Sequence, residues 1–125
     1  PEKRPLSSMT PTIVMKDNKP FLVVGSPGGS TIITTTMQTI LNVINFEMDI
    51  KEAVCAPRFH SQWLPDVIQI EPRGLSEDVL SNIRLRGHEI IYRGGYIGES
   101  NGIMITNEGL FGGGDCRGET SAIGY

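Results

Sequence analysis

Two adjacent glycines, Gly28 and Gly29, are the residues of this chain whose position most directly suggests chemistry. They stand between an apolar run at residues 21–24 and a segment at 30–46 whose apolar residues recur at helical spacing. Glycines at such a strand-to-helix turn leave backbone N–H groups accessible, because no Cβ obstructs the approach. Free N–H groups at a helix start attract negative charge, either a bound anion or an oxyanion formed during acyl transfer. A tight connector without chemistry is the alternative, since short glycine motifs need context.

A pair of adjacent hydroxyls, Ser7 and Ser8, followed by Met9, is the second candidate site. Paired hydroxyls can hold a carboxylate through charge-assisted hydrogen bonds. Taken alone, these residues favour a serine turn that binds its own backbone.

A β-hairpin predicted at residues 12–24 would bring the two candidates together. Its strands are the apolar runs at 12–15 and 21–24, and its turn contains Asp17 and Asn18. Pro20 lacks an N–H group and therefore belongs at a strand start or on an edge. Because the entry of one hairpin strand lies beside the exit of the other, one small ligand could contact both the serine pair and the glycine turn.

Arg58, His60 and Trp63 suggest acid–base chemistry at first sight. Neither a nucleophile nor a carboxylate lies at a sensible spacing, so we interpret this cluster as packing and hydrogen bonding. Cys55 and Cys116 lack the spacing of a metal site, and we expect two buried thiols, with one disulfide as the alternative.

The motif Leu-Ser-Ser-Met at residues 6–9, with Gly-Ser-Pro-Gly-Gly at 25–29 and Ala-Pro-Arg-Phe-His at 56–60, resembles the γ-glutamyltranspeptidases. The similarity extends over residues 5–125 and corresponds to the C-terminal part of the small subunit. It implies that Ser7, Ser8 and Met9 bind the substrate, with the serines holding the α-carboxylate of the γ-glutamyl group. It also implies that Gly28 and Gly29 are the catalytic oxyanion donors.

The resemblance implies γ-glutamyl transfer and hydrolysis, with glutathione and other γ-glutamyl compounds as donors and water or amino acids as acceptors. The nucleophile of the family is a threonine that self-cleavage of a precursor places at the N-terminus of the small subunit, where its α-amino group acts as base. Here position 1 is Pro1, so we expect the threonine upstream and this chain to be inactive alone. The expected partners are the large subunit and the upstream part of the small subunit. The family also implies a periplasmic or extracellular location and no cofactor or metal.

The length of the chain is enough for one domain or for a piece of a larger one. The chain of 125 residues has a net charge of −3 and 38% hydrophobic residues, and 15 of its residues are glycine. The small net charge does not suggest a nucleic-acid partner. The tail at 115–125 resembles the end of the family's small subunit, except that Cys116 stands where a proline is usual.

The remaining pattern predicts an α+β fold. A short helix at 50–56 should begin with a capping box of Asp49 and Glu52. A helix at 76–86 should be capped by Ser76 and turn Val79, Leu80 and Ile83 to the core, with His88 on the surface beyond it. A strand is predicted at 67–71, and strands at 89–92, 102–106 and 110–113 are expected to form an antiparallel meander.

We therefore expect residues 1–125 to be one domain fragment, part of the αββα sandwich of N-terminal nucleophile hydrolases with antiparallel sheets. A related acylase, of the cephalosporin or poly-γ-glutamate type, is one alternative. A non-catalytic structural or binding chain is another. A phosphate-binding module is a weaker one, since Gly29 is followed by Ser30 and Thr31 and not by the Lys of a P-loop.

Overall fold

A computed structural model describes Lys3 and residues 9–72 and 74–124. Ser7 and Ser8 lie outside the described residues, so their predicted role is not tested here. The elements, in chain order, are β1 Thr12–Lys16, β2 Lys19–Gly25, a 3-10 turn Gly29–Thr31, α1 Ile32–Asn45, α2 Ile50–Cys55, β3 Phe59–His60, β4 Ile68–Ile70, α3 Glu77–Leu85, β5 Ile90–Tyr92, β6 Asn101–Thr106 and β7 Gly109–Gly113.

The main sheet has the order β1-β2-β6-β7, and all its pairs are antiparallel. The predicted hairpin is confirmed: Asp17 and Asn18 form its turn with φ of 51° and 60°, the positive values that suit a two-residue turn. Pro20 lies near the start of β2, before that strand begins to pair with β6 at Leu22. Its missing N–H group therefore costs no bond to β6.

The second sheet, of order β3-β4-β5, corrects the predicted meander. β5 leaves β6 and β7 and pairs with β4, in parallel. The reason is the helix between them: β4, α3 and β5 form a crossover that returns the chain in the same direction, which is the usual way to connect parallel strands. The α+β class with largely antiparallel sheets is confirmed.

The core lies between α1, α2 and one face of the main sheet. Its buried residues are Leu22, Val24, Val43, Ile50, Ala53 and Val54. Gly102 and Gly113 let α2 approach the sheet closely. A Cβ at either position would lie 2.7 Å from an atom of Ile50.

Helix α1 has the predicted apolar face, but that face points away from the core. Ile33 is 71% exposed, and Met37, Leu41 and Ile44 are also exposed, which leaves only Ile40 half-buried. The buried side of α1 is instead rich in threonine, and Thr39 Oγ1 donates to the Thr35 carbonyl at 3.0 Å. We call the residues Ile33, Met37, Leu41 and Ile44 the outer stripe of α1.

On the side opposite the core, the main sheet also has an apolar face that is uncovered at β1, β2 and β6, and we call it the uncovered face. Ile13, Val23 and Ile103 lie side by side across β1, β2 and β6, and Ile13 and Ile103 are exposed. The main sheet and the helical layer of α1 and α2 on it therefore have apolar surface on both outer sides. Such surfaces are normally covered in a folded protein.

The predicted capping box and the exposed His88 are confirmed, and the prediction for α3 was partly right. Helix α2 has the capping box of Asp49 and Glu52, and the N-cap of α3 is Ser76, although its side chain makes no capping hydrogen bond. Leu80 is buried, but Val79 is exposed and does not face the core. His88 is exposed, as predicted.

Cys55 and Cys116 form a disulfide, so the expectation of two buried thiols was wrong. The bond connects the last residue of α2 to the C-terminal segment, 61 residues later. Lys51 Nζ adds a 2.7 Å hydrogen bond to the Gly114 carbonyl. In the part of the chain that the structure describes, no helix is both long and apolar enough to cross a membrane.

Candidate active site

The glycine turn, defined as residues 25–30, connects β2 to the 3-10 turn that precedes α1. Gly28 has φ of 139° and Gly29 has φ of 59°, both in the region that favours glycine. A Cβ at Gly28 would lie 2.6 Å from Thr31 Oγ1. The Gly28 carbonyl accepts hydrogen bonds from the N–H and the hydroxyl of Thr31, at 3.2 and 2.9 Å. The predicted strand, turn and helix are therefore present, and a side chain at Gly28 would require the turn to shift.

The N–H groups of Gly28 and Gly29 donate no hydrogen bond to any other described residue. Both residues are exposed. Two neighbouring donors at the start of a helix are thus available to an external acceptor, and that acceptor is favoured if it is negative. Their assignment as oxyanion donors stays a prediction.

Met9 is the one described residue of the serine segment, defined as residues 6–9, and it contacts the glycine turn. The Met9 carbonyl accepts a 2.9 Å hydrogen bond from the Ser26 N–H, and a Cβ at Gly25 would lie only 3.2 Å from that carbonyl oxygen. Met9 has φ of 53°, and its side chain is exposed. The predicted proximity of the two candidate sites therefore holds at Met9, the one residue of the serine segment that is described.

An open groove of about 980 Å³ begins beside Met9 and runs over the uncovered face of the main sheet. Its lining includes Gly25, Asn101, Ile103 and Leu110. Gly28 and Gly29 do not line this groove. That their N–H groups face a pocket therefore stays a prediction.

His60 is a buried structural residue, as interpreted from the sequence. Its Nδ1 lies 2.8 Å from Thr34 Oγ1 and its Nε2 lies 3.0 Å from Gln62 Oε1, so both ring nitrogens are used. Trp63 differs from the interpretation, because it is 79% exposed and is not packed in the core. No group of three or more potential metal ligands occurs among residues 3, 9–72 and 74–124.

Four buried charged residues form a network, which we call the ion-pair network and which bonds to the backbone of Ile97 and Ser100. Arg58 contacts Asp115 at 2.7 Å, and Arg117 contacts Asp115 at 2.9 Å and Glu71 at 2.5 Å. The side chains of all four residues are almost fully inaccessible to solvent. Buried charges are tolerated when they are paired and hydrogen-bonded, and two cations here face two anions.

The network keeps both of its carboxylates ionised. Burial alone would raise the pKa of Glu71, but hydrogen bonds from Arg117, Ile97 N–H and Arg58 N–H outweigh it and the pKa is lowered. Burial likewise opposes ionisation of Asp115, and hydrogen bonds from Arg58 and Arg117 lower its pKa. The pKa of Arg117 is raised despite burial, because Glu71 and Asp115 stabilise its charge.

Sequence reasoning missed Glu71 and the ion-pair network as a whole. Arg58 was recognised as structural, but its partners Glu71 and Asp115 lie 13 and 57 residues away. The available signal was Asp115 and Arg117 on either side of Cys116, in a glycine-rich tail with few other charges. Ser26 was also missed. Side chains alternate along a strand, so Ser26, which continues the two-residue spacing of the buried Leu22 and Val24, is expected to point inward as well.

All 125 residues match the family model described as gamma-glutamyltranspeptidase. The chain is 48% identical over 118 residues to the glutathione hydrolase proenzyme of Escherichia coli strain K12, covering 94% of this chain and 20% of that protein. It is 59% identical over 78 residues to the glutathione hydrolase proenzyme of Pseudomonas sp. strain A14, covering 62% of this chain and 14% of that protein.

Solved structures agree with the sequence matches. A mutant of Helicobacter pylori gamma-glutamyltranspeptidase superposes with a TM-score of 0.86 at 52% identity, covering 94% of this chain and 64% of that one. Gamma-glutamyltranspeptidase from Pseudomonas nitroreducens, in complex with L-DON, gives a TM-score of 0.88 at 35% identity, covering 100% and 66%. The chain thus spans a fifth or less of these two proenzymes and about two thirds of these structural chains. It belongs to the γ-glutamyltranspeptidase family.

Proposed function

We propose that this chain is the part of a γ-glutamyltransferase and glutathione hydrolase that carries the oxyanion donors and the carboxylate-binding serines. The observation that supports this most directly is the glycine turn, which has two unbonded N–H donors and is contacted by Met9. The substrates would be glutathione and other γ-glutamyl compounds. Two relatives at 48% and 59% identity are named glutathione hydrolase proenzymes.

In the proposed reaction, the hydroxyl oxygen of an upstream threonine attacks the γ-carbonyl carbon of the substrate. The carbonyl oxygen becomes an oxyanion and receives hydrogen bonds from the N–H groups of Gly28 and Gly29. The threonine proton passes to its own α-amino group and then to the departing amine. Water or an amino acid next attacks the γ-glutamyl ester, which releases glutamate or a new γ-glutamyl compound and frees the threonine.

Binding of the γ-glutamyl group would depend on the serine segment. The Ser7 and Ser8 hydroxyls would donate to the α-carboxylate, and Met9 would line the same site. The hydrogen bond between the Met9 carbonyl and the Ser26 N–H supports this arrangement, because it holds Met9, the residue that follows the two serines, against the glycine turn. One end of the substrate would then lie at the serines and the scissile bond at the glycines.

The proposed partners are the large subunit and the upstream part of the small subunit, formed by self-cleavage of a precursor. The outer stripe of α1 and the uncovered face of the main sheet support this, since each offers apolar surface for another layer of a sandwich. The relatives named proenzymes support processing. A periplasmic or extracellular location is part of the same proposal.

The acylase alternative has less support. A cephalosporin acylase from Bacillus halodurans superposes with a TM-score of 0.77 at 25% identity, well below the identities to the glutathione hydrolases. In γ-glutamyl transfer the serine segment would bind the α-carboxylate of the γ-glutamyl group, whereas a cephalosporin acylase would act on a different acyl group.

The test of the proposed function is release of p-nitroaniline from γ-glutamyl-p-nitroanilide. We expect turnover by the full-length precursor after self-cleavage, and none by the 125-residue chain alone, because covalent catalysis needs the upstream threonine. A cephalosporin side-chain amide in the same assay tests the alternative. Robust turnover by the isolated chain would place the nucleophile within these residues and contradict the mechanism. No turnover of the anilide by the processed protein would reject the function itself.

Replacement of both Ser7 and Ser8 by alanine in the full-length protein is expected to weaken binding of the anilide by about 2–4 kcal/mol, at ~1–2 per charge-assisted hydrogen bond. KM should rise, because the α-carboxylate is bound in the ground state and the transition state alike. A matched substrate that lacks the α-carboxylate should be turned over equally by both proteins. If the double variant lost activity on that substrate too, the carboxylate assignment would be wrong.

A further inference from the structure

Ser26 connects the glycine turn to a second segment, residues 97–99, which we call the support loop. Ser26 is fully buried, with 0% exposure. Its hydroxyl donates to the Pro27 carbonyl at 2.7 Å, inside the glycine turn, and accepts from the Glu99 N–H at 3.1 Å. One hydroxyl thus bonds to both segments.

The support loop also packs directly under Gly28. A Cβ at Gly28 would lie 3.3 Å from the Cα of Gly98. Gly98 itself has φ of 66°, and a Cβ there would lie 2.9 Å from Ser26 Oγ and 2.5 Å from Thr35 Oγ1. The turn and the loop are therefore in backbone contact, with the Ser26 hydroxyl beside that contact.

The support loop is in turn fixed by the ion-pair network. The Ile97 N–H donates to Glu71 at 2.8 Å, and the Ile97 carbonyl accepts from Arg58 at 2.9 Å. Ser100, the residue that follows the support loop, donates its N–H to Asp115 at 2.6 Å. The buried ion-pair network thus holds the support loop. Residues 27–30 of the glycine turn, which follow the buried Ser26, are exposed.

We propose that Ser26 is a positioning residue, which holds the glycine turn on the support loop and so sets the direction of the Gly28 and Gly29 N–H groups. This inference rests on the proposed function. The physical reason is that oxyanion donors act only when they are held at hydrogen-bond distance from the developing charge. A misplacement of about 1 Å can cost on the order of 100-fold in rate. Ser26 itself touches no substrate in this mechanism.

The test compares the full-length protein with its Ser26→Ala variant, using burst kinetics with γ-glutamyl-p-nitroanilide and normalising to self-cleaved protein. We expect the acylation rate constant to fall about 10- to 100-fold, while KM changes less than threefold because the serine segment is intact. Ser26→Cys has nearly the same volume but is a weak acceptor, and it should give an intermediate loss. Ser26→Thr keeps the hydroxyl and should recover most of the rate.

Ser100→Ala is the matched control. Ser100 is also a serine with 0% exposure, but its hydroxyl accepts from Thr39 at 3.2 Å and does not contact the glycine turn. If the Ser26 hydroxyl had only a structural role, both alanine variants would have a lower melting temperature and both would acylate at the rate of the parent.

The inference is overturned if Ser26→Ala acylates within threefold of the parent, or if Ser100→Ala loses as much. If Ser26→Ala fails to fold or to self-cleave, Ser26→Cys decides, by the same threefold limit. An inactive parent would instead reject the proposed function, whereas an active parent with normal Ser26 variants rejects only the positioning role.

Discussion

Gly28→Ala in the full-length protein is expected to lower kcat for γ-glutamyl transfer roughly 100- to 1,000-fold, the usual loss when one oxyanion donor is removed. The added Cβ would lie 2.6 Å from Thr31 Oγ1, and the φ of 139° does not suit alanine. The turn must therefore shift, and its N–H groups shift with it. Steady-state kinetics on γ-glutamyl-p-nitroanilide measure the effect.

Gly109→Ala is the control for backbone strain in this experiment. Gly109 has φ of 140°, almost the same as Gly28, but a Cβ there meets nothing within 4 Å and the residue lies in the hairpin between β6 and β7. It should lose stability through the same unfavourable φ and keep its kcat. Retention of kcat within threefold by Gly28→Ala would show that these N–H groups do not bind the oxyanion.

Arg58→Met is expected to destabilise the protein by about 3–5 kcal/mol, because it leaves buried negative charge with one cation fewer. Methionine fills much of the same space, so the loss reports mainly on the charge. The measurement is the free energy of unfolding in urea. Arg84→Met is the control: Arg84 lies 4.0 Å from Glu77, both side chains are well exposed, and such a pair contributes less than about 1 kcal/mol.

Acid should act on the same network, and the sign follows from the lowered pKa values of Glu71 and Asp115. A carboxyl whose pKa is lower in the folded state stabilises the fold above its unfolded pKa of about 4, and that stabilisation is lost as the pH falls through the folded value. The parent should therefore lose stability below about pH 4.

If Arg58→Met and Arg84→Met proved equally stable at neutral pH, the network would not stabilise the fold as described.

The parts of the fold that were predictable are those set by neighbouring residues. Asp17 and Asn18 define a two-residue hairpin, and Asp49 with Glu52 caps α2, because each depends on contacts within a few residues. The glycine turn was recognisable for the same reason. Its predicted role as an oxyanion donor depended on a second motif, the serine segment.

What could not be predicted depends on contacts between distant residues. The parallel pairing of β5 with β4, the Cys55–Cys116 disulfide and the bond between Arg58 and Asp115 all join residues at least 20 positions apart. The outer stripe of α1 was visible as a periodic pattern. Periodicity identifies an apolar face but does not say which neighbour covers it, and the described residues do not cover this one.

The backbone conformation of Gly29 limits which amino-acid substitutions this position can accept during evolution. Its φ of 59° is tolerated best, after glycine, by asparagine and aspartate, and a Cβ there meets nothing within 4 Å. Every glycine codon is at least two nucleotide changes away from asparagine, whereas two of the four are one change away from aspartate. The single-step substitution that suits the backbone thus places a carboxylate beside the proposed oxyanion, where like charges repel. A lineage that begins with glycine at this position has no single-nucleotide path to another residue that satisfies both the backbone and the proposed chemistry.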